Sequence, residues 1–158
     1  MPSRLSILIV EDNEDAADSL AELLGLHGHK TCVAMSCAAA LAAAADVTPD
    51  VVILDIGLPG TDGFVVARKL CEVSKRRPLL VAITGHMRME ERSRSEGIDH
   101  HFIKPIDPCV LADLLARHAD KLVAEPVPAR RDPDGIHRAA TYSPTRQGTA
   151  SRPPGRPA

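Results

Sequence analysis

Short apolar runs alternate with longer segments of mixed polarity along residues 5–121. Each run is three to six residues long and contains aliphatic, often β-branched, residues, which is typical of buried strands. The runs are Leu5–Val10, Thr31–Met35, Val51–Leu54, Leu79–Ile83 and His101–Ile103. In the segments between and after them, apolar residues recur at helical spacing. Five strands alternating with five helices predict an α/β fold, a doubly wound parallel sheet with helices on both faces.

Polar and turn-forming residues mark where these helices begin and end. A glycine stops a helix, and a serine or aspartate caps one. The predicted marks are Gly28 and Gly97 as stops, Ser36 as a cap, Asp62 or Gly63 as a start, and Asp107 followed by Pro108 as a start. We expect Ala16 and Ala17 on the apolar face of the first helix, and Val110 and Leu111 on that of the fifth.

Ionisable and hydroxyl side chains follow four of the predicted strands. Glu11 and Asp12 end the first strand, Asp55 the third, Thr84 the fourth and Lys104 the fifth. Right-handed crossovers gather the carboxyl ends of parallel strands at one edge, where open α/β sheets bind their ligands. We therefore expect these side chains to face one cleft.

Carboxylates crowded into one cleft need a cation to remain ionised. Oxygen ligands suit Mg²⁺, which also accepts phosphate oxygens. Such a site fits a phosphoryl group, with Asp55 as a nucleophile that forms an acyl phosphate. Each residue alone has a simpler interpretation: Asp55 and Thr84 as turn caps, the first acids as helix caps, and Lys104 as a surface lysine. Their combination and order favour the functional interpretation.

Composition and charge narrow the class of protein. Aromatic residues make up only 2% of the chain, so the core must be aliphatic. We expect a cytoplasmic protein without a membrane span, because no apolar run approaches about 18 residues and the N-terminus lacks signal-peptide features. The four cysteines form no CxxC pair and no zinc spacing, which favours reduced thiols.

The C-terminal stretch differs from the rest. Residues 125–158 contain seven prolines, and six arginines against three acids give a net charge of +3, so the remaining residues carry −5. A segment of this composition buries too little apolar surface to fold. We predict a disordered tail at residues 125–158 after a domain at residues 1–124. The tail has no aromatic residue to stack on bases apart from Tyr142, so we favour a solvated linker or a partner-binding segment over weak electrostatic attraction to nucleic acid, and we do not expect DNA binding.

Four stretches of this sequence resemble the signatures of two-component response-regulator receiver domains. They are Ile7–Asn13, Leu54–Gly63, Ala82–His86 and His101–Pro105, and the resemblance extends over residues 5–121. It is strongest to the receivers of hybrid histidine kinases, although this chain looks like a stand-alone receiver. The resemblance implies a flavodoxin-like (βα)5 fold, with a sensor histidine kinase or a histidine phosphotransfer protein as phosphoryl donor and a protein of unknown identity downstream.

The resemblance also implies a role for each residue of the cleft. Asp55 would be the phosphoacceptor, and Mg²⁺ would be held by Glu11, Asp12, Asp55 and the backbone carbonyl of Gly57. Lys104 would contact the phosphoryl oxygens, brought into the cleft by a cis bond to the following proline.

Two further residues would carry the signal. Thr84 would move toward the phosphate, and His101, three residues before the lysine, would follow it as a rotamer switch; the alternative is an ordinary half-exposed strand histidine. Phe102 should point into the core, since side chains alternate along a strand. For the same reason His100 and His101 make a poor metal chelate. His27, His29 and His118 are interpreted as helix-end or surface residues.

Two other functions compete with a signalling receiver. One is a Mg²⁺-dependent phosphohydrolase that passes through an aspartyl phosphate, but such enzymes usually have a second aspartate where this chain has Gly57. The other is a receiver that binds partners without phosphorylation, against which the intact set of acids, Thr84 and Lys104 argues. We therefore expect a protein that catalyses only its own phosphorylation and dephosphorylation. Because Gly57 has no amide side chain, we expect the phosphoryl group to hydrolyse slowly.

Overall fold

The computed structural model describes residues 3–85 and 89–125, without the side chain of Glu90. Ten elements alternate as predicted: β1 (Ser6–Val10), α1 (Glu14–Leu26), β2 (Lys30–Ala34), α2 (Cys37–Val47), β3 (Val51–Asp55), α3 (Gly63–Val73), β4 (Leu79–Thr84), α4 (Glu90–Ser95), β5 (His100–Ile103) and α5 (Pro108–Ala124). Apart from Glu125, the predicted tail lies outside the described residues, as does His86. None of the described helices is long and apolar enough to cross a membrane.

The five strands form one parallel sheet in the order β2-β1-β3-β4-β5. This is the doubly wound parallel sheet that the alternation predicts, with the flavodoxin-like strand order that the resemblance implies. Strand order reverses direction at β1, and β1 lies between β2 and β3. The carboxyl ends of β1 and β3 are therefore adjacent, which is where this fold class forms its ligand crevice.

Apolar side chains cover both faces of the sheet. Ile7 and Ile9 of β1 pack in a cluster with α1 and α5, whereas Leu8 and Val10 pack in a second cluster with α2 and α3. Successive side chains of a strand point to opposite faces, so an uninterrupted apolar run fits a strand buried on both sides. The short aliphatic runs of the sequence are explained by this two-sided burial.

Most helices begin at a side-chain cap. A side-chain oxygen accepts a backbone N–H bond at the start of α1, α2, α3 and α5, from the caps Asn13, Ser36, Asp62 and Asp107. Such a cap satisfies one of the amide groups that a helix start leaves without an internal partner. The predicted stops Gly28 and Gly97 have positive φ angles of 85° and 82°. The predicted starts and stops are thus confirmed.

Two predicted core positions are wrong. Ala16 is exposed, and Val110 is 49% exposed. The helices bury narrower stripes than expected, which consist of Ala17, Ala21 and Leu24 in α1 and of Leu111, Leu115 and Ala119 in α5. Neighbouring helical residues differ in direction by roughly 100°, so the residue beside a buried one can face solvent.

The loop after β3 is fixed by close packing. A Cβ atom at Gly63 would lie 2.8 Å from the Cα and carbonyl oxygen of Ile56, so only glycine fits there. Ile56 and Leu58 are buried, and the Ile56 N–H donates to the carbonyl of Ile83 in β4 over 3.0 Å. This packing holds the chain that follows Asp55 against the sheet.

Candidate functional site

Three carboxylates meet at the edge of the sheet where its strands end. Glu11, Asp12 and Asp55 each offer one oxygen, and these oxygens lie within 4.8 Å of one another. The register explains the meeting, because Val10 of β1 pairs with Leu54 of β3 and the acids come directly after these residues. The Glu11 side chain is largely buried, whereas Asp12 is exposed.

Lys104 links two of these acids. Its Nζ atom donates to Oε2 of Glu11 over 2.9 Å and to Oδ2 of Asp55 over 3.1 Å. The backbone N–H of Lys104 donates to the carbonyl of Thr84 over 2.9 Å, which attaches the end of β5 to the end of β4. The bond between Lys104 and Pro105 is cis. The structure thus brings the predicted lysine into direct contact with Glu11 and Asp55.

The charges in the cleft influence one another. Burial raises the pKa of Glu11 and the charge of Asp55 adds to this, although hydrogen bonds from Lys104 and from the Asn13 N–H oppose it. Burial also acts to lower the pKa of Lys104, but its hydrogen bonds to Glu11 and Asp55 outweigh this, so the pKa of Lys104 is raised. The ammonium group therefore stays charged at neutral pH, beside acids that it neutralises only in part.

Both oxygens of Asp55 already accept hydrogen bonds. Oδ2 accepts from Lys104, and Oδ1 accepts from the backbone N–H of Gly57 over 2.8 Å. A Cβ atom at Gly57 would lie 3.3 Å from Oδ1, so any side chain at this position would stand beside the carboxylate. These contacts fix the orientation of the Asp55 carboxylate, while the residue remains partly accessible to solvent.

The two predicted switch residues lie on neighbouring strands. Thr84 is the last residue of β4 and is 1% exposed. His101 is the second residue of β5, paired with Ala82, and its Nδ1 is hydrogen-bonded to Oγ of Ser93 in α4. Phe102 packs against the α1 and α5 cluster, as predicted from strand alternation. His101 therefore faces α4, on the opposite side of the sheet from Phe102.

Two residues of interest were missed from the sequence. Ser93 is buried although it lies in a polar helix, and its contact with His101 joins residues that no pattern relates. His29 is predicted to lie at a helix end or on the surface, but it is buried. The residue is only 5% exposed, and its Nδ1 accepts the Leu5 N–H over 3.4 Å. A polar residue just before a strand gave no signal of burial.

The residues of the cleft fit a hard divalent cation. Three carboxylates against one ammonium group leave a net charge of −2 within a few ångströms. Oxygen donors at this spacing suit Mg²⁺, which keeps several waters and binds through few carboxylates. The same cation and the lysine would attract an anionic group such as phosphate.

The sequence also matches a family of known proteins. Residues 7–116 match the family described as the response regulator receiver domain. The transcriptional regulatory protein PrrA of Mycobacterium tuberculosis is 33% identical over 113 residues, which are 70% of this chain and 47% of PrrA. The chain thus spans about half the length of this relative.

Solved structures share the fold. The receiver domain (CheY-like) from Methylobacillus flagellatus is 31% identical with a TM-score of 0.68, and the match covers 73% of this chain and 99% of that domain. The receiver domain of the sensor histidine kinase PA1611 from Pseudomonas aeruginosa has a TM-score of 0.66 over 75% of this chain and 99% of that domain. At 22% identity, the latter likeness concerns the fold alone; that structure has a magnesium ion coordinated in its active site cleft.

Proposed function

Because this chain belongs to the response-regulator receiver family, we propose that it carries a signal by accepting a phosphoryl group on Asp55. The donor would be a phosphohistidine of a sensor histidine kinase or of a histidine phosphotransfer protein. One observation carries the proposal: Lys104 donates to both Glu11 and Asp55 at the edge where three carboxylates converge. This arrangement combines a nucleophile with a fixed positive charge.

The transfer follows from the chemistry of these groups. A carboxylate oxygen of Asp55 attacks phosphorus and forms a P–O bond while the P–N bond to the donor imidazole breaks, and the imidazole nitrogen keeps the electron pair. Lys104, already within 3.1 Å of Asp55, neutralises charge on the transferring oxygens. The Gly57 N–H keeps the other carboxylate oxygen in place.

The proposal includes Mg²⁺ as the cofactor. Glu11, Asp12, Asp55 and the backbone carbonyl of Gly57 would hold it, and the close approach of the three carboxylates supports this. When bound, the ion would offset negative charge on the carboxylates and the phosphoryl group. The magnesium in the cleft of the PA1611 receiver is consistent with such a site.

The phosphoryl group would then change the contacts of the protein. We propose that the Thr84 hydroxyl donates to a phosphoryl oxygen, and that His101 responds because it lies on the adjacent strand in contact with α4. The surface around α4 and β5 would present this change to a downstream protein. The proposal places the receiver at residues 1–124, in the cytoplasm, with protein partners rather than DNA.

The test is the intact mass of the protein after incubation with Mg²⁺ and acetyl phosphate. One added phosphoryl group is expected in the wild type and in Asp120→Asn, a control at an exposed acid of α5, but not in Asp55→Asn. An adduct that persists in Asp55→Asn would refute the assignment. Continuous turnover of a phosphoester would instead indicate a phosphohydrolase, and a wild type without any adduct would indicate phosphorylation-independent binding.

The lifetime of the adduct tests the role of Gly57. A side chain there would stand beside Asp55 Oδ1, so an amide could orient water toward the acyl phosphate. We expect Gly57→Asn to shorten the lifetime several-fold, and Gly57→Ala, which adds only the Cβ atom, to leave it unchanged. Equal lifetimes in wild type and Gly57→Asn would contradict the expectation of slow hydrolysis through a missing amide.

A further inference from the structure

Helix α4 depends on its neighbours for its position. It has six residues, and its N-cap Met89 makes no side-chain capping bond, whereas the other described helices have 11 to 17 residues and a cap. A helix shorter than about 12 residues is not stable by itself in water, so tertiary contacts must hold α4 in place. Two of its side chains, Arg92 and Ser93, provide such contacts to the rest of the protein.

Arg92 connects α4 to the start of α3. Its Nη2 donates to Oδ2 of Asp62, and its guanidinium carbon lies 4.4 Å from the centroid of the buried Phe64 ring. A guanidinium group over an aromatic face is attracted by the ring and has its plane oriented by it. The hydrogen bond from Arg92 lowers the pKa of Asp62, so this carboxylate stays ionised.

Asp62 is also the far end of the loop that leaves the phosphoryl site. Its second oxygen, Oδ1, accepts the Phe64 N–H over 3.0 Å and caps α3. At the near end of the loop, the Gly57 N–H donates to Oδ1 of Asp55, and the next residue, Leu58, is buried and acts as an anchor. Residues 59–61 between these anchors are exposed. The contact with Arg92 thus fixes one end of the loop that contains Gly57, whose N–H donates to Asp55.

We infer that Arg92 is a positioning residue that joins the site loop, residues 56–62, to α4, so that occupancy of the phosphoryl site and the order of α4 are coupled. The inference rests on the proposed function for the identity of the ligand. Coupling between two sites is reciprocal, so a residue that transmits the ligand's effect to α4 must also alter the affinity for that ligand. Because the Arg92 contact holds one end of the site loop, we expect this residue to support binding. A simple surface ion pair would neither transmit the ligand's effect nor change its binding, because exposed ion pairs contribute little free energy.

The experiment uses the full chain, beryllofluoride with Mg²⁺ as a phosphoryl mimic, and hydrogen–deuterium exchange. We expect Arg92→Ala to weaken beryllofluoride binding about five-fold, a modest value for such coupling, and to abolish the effect of the ligand on exchange in residues 90–95. The affinity of Arg92→Lys should fall between those of wild type and Arg92→Ala. An ammonium group keeps the charge but loses the planar pair of N–H donors and the stacking on the Phe64 ring. Unchanged or tighter binding by Arg92→Ala would overturn the inference.

A matched control separates this effect from a general loss of surface charge. Arg117→Ala removes an arginine from an exposed ion pair with Asp113 on α5, at 2.6 Å, and should leave both binding and exchange unchanged. Asp62→Asn keeps an N-cap oxygen but loses the charge, so it should reproduce the effect of Arg92→Ala. The double variant, Arg92→Ala with Asp62→Asn, should bind beryllofluoride no more weakly than the weaker of the two single variants. Additive effects would contradict a shared contact.

Exchange in the ligand-free protein separates failure of this inference from failure of the proposed function. Arg92→Ala should speed exchange in residues 58–62 and in residues 90–95 together, whether or not the protein accepts a phosphoryl group. If the wild type fails to bind beryllofluoride but Arg92→Ala still speeds exchange in both segments, the proposed function is refuted and the link between the site loop and α4 is kept. Exchange that is unaltered in both segments would refute the inference, even where beryllofluoride binds.

Discussion

Replacing Lys104 by methionine removes the positive charge from the acidic cleft while keeping most of the apolar stem. The ammonium group contacts Glu11 and Asp55 at 2.9 and 3.1 Å. At 3 Å, two unit charges attract by about 1.4 kcal/mol at the dielectric constant of water, a suitable choice because the lysine side chain is 39% exposed. The two contacts together give about 2.8 kcal/mol, and restraining a long side chain offsets up to about 2 kcal/mol of this attraction. We therefore expect Lys104→Met to lower the free energy of unfolding by about 1 kcal/mol without metal ions.

Added Mg²⁺ should reverse this loss. Without the lysine, the net charge of the cleft changes from −2 to −3, so the three carboxylates attract a divalent cation more strongly. A ligand that binds only the folded state stabilises it more when its dissociation constant is lower. Urea unfolding in EDTA and at rising Mg²⁺ concentrations should show the stability gap closing. Lys69→Met, at an exposed position of α3, is the control and should parallel the wild type. Equal stability of Lys104→Met and wild type in EDTA, or equal stabilisation of both by Mg²⁺, would refute the reasoning.

Two further predictions concern packing and pH. Gly63→Ala should destabilise the protein by about 1–3 kcal/mol in urea unfolding, because the new methyl group would lie 2.8 Å from the backbone of the loop after β3. The control Gly25→Ala, in a helix where a Cβ atom would meet nothing within 4 Å, should stabilise the protein by about 0.5–1 kcal/mol. A similar effect of both substitutions would contradict the packing argument. Burial lowers the pKa of His29 from 6.5, and its Nδ1 accepts the Leu5 N–H, so the folded protein keeps this ring neutral. The unfolded chain then binds more protons as the pH falls through 6.5, so stability falls over that window. Melting temperatures measured across it should decline less steeply in His29→Gln than in wild type or in His100→Gln, an exposed control; an unchanged slope would argue against a neutral buried ring.

The fold was predictable because its signals are local. A short apolar run such as Val51–Leu54, bounded by turn residues, indicates a strand buried on both faces, and caps such as Ser36 and Asp107 mark helix starts within a few residues. The errors arise where burial depends on distant packing. Val110 is apolar and next to a buried leucine but is 49% exposed, and the buried His29 accepts the N–H of Leu5, 24 residues away in sequence.

The cleft was predictable for a different reason. Each of its side chains follows a strand directly, and topology then brings strand ends together, so the positions of Glu11, Asp55 and Lys104 can be derived without knowing any contact distance. The link between Arg92 and Asp62 has no such origin. It joins polar residues 30 positions apart on the surface, and charged residues in a polar helix show no periodicity that would reveal a partner.

The charge balance of the cleft gives Lys104 opposite effects on its two proposed ligands. The ammonium group repels a divalent cation but attracts a phosphoryl group, and it lies close enough to Asp55, at 3.1 Å, to act on both. Lys104→Met should therefore bind Mg²⁺ more tightly than wild type, and in saturating Mg²⁺ it should bind beryllofluoride more weakly. A lysine that only supported the fold would shift both affinities in the same direction, through the population of folded protein. Opposite shifts, measured at a Mg²⁺ concentration that restores full stability, would thus assign the lysine to phosphoryl recognition, and parallel shifts would assign it to structure alone.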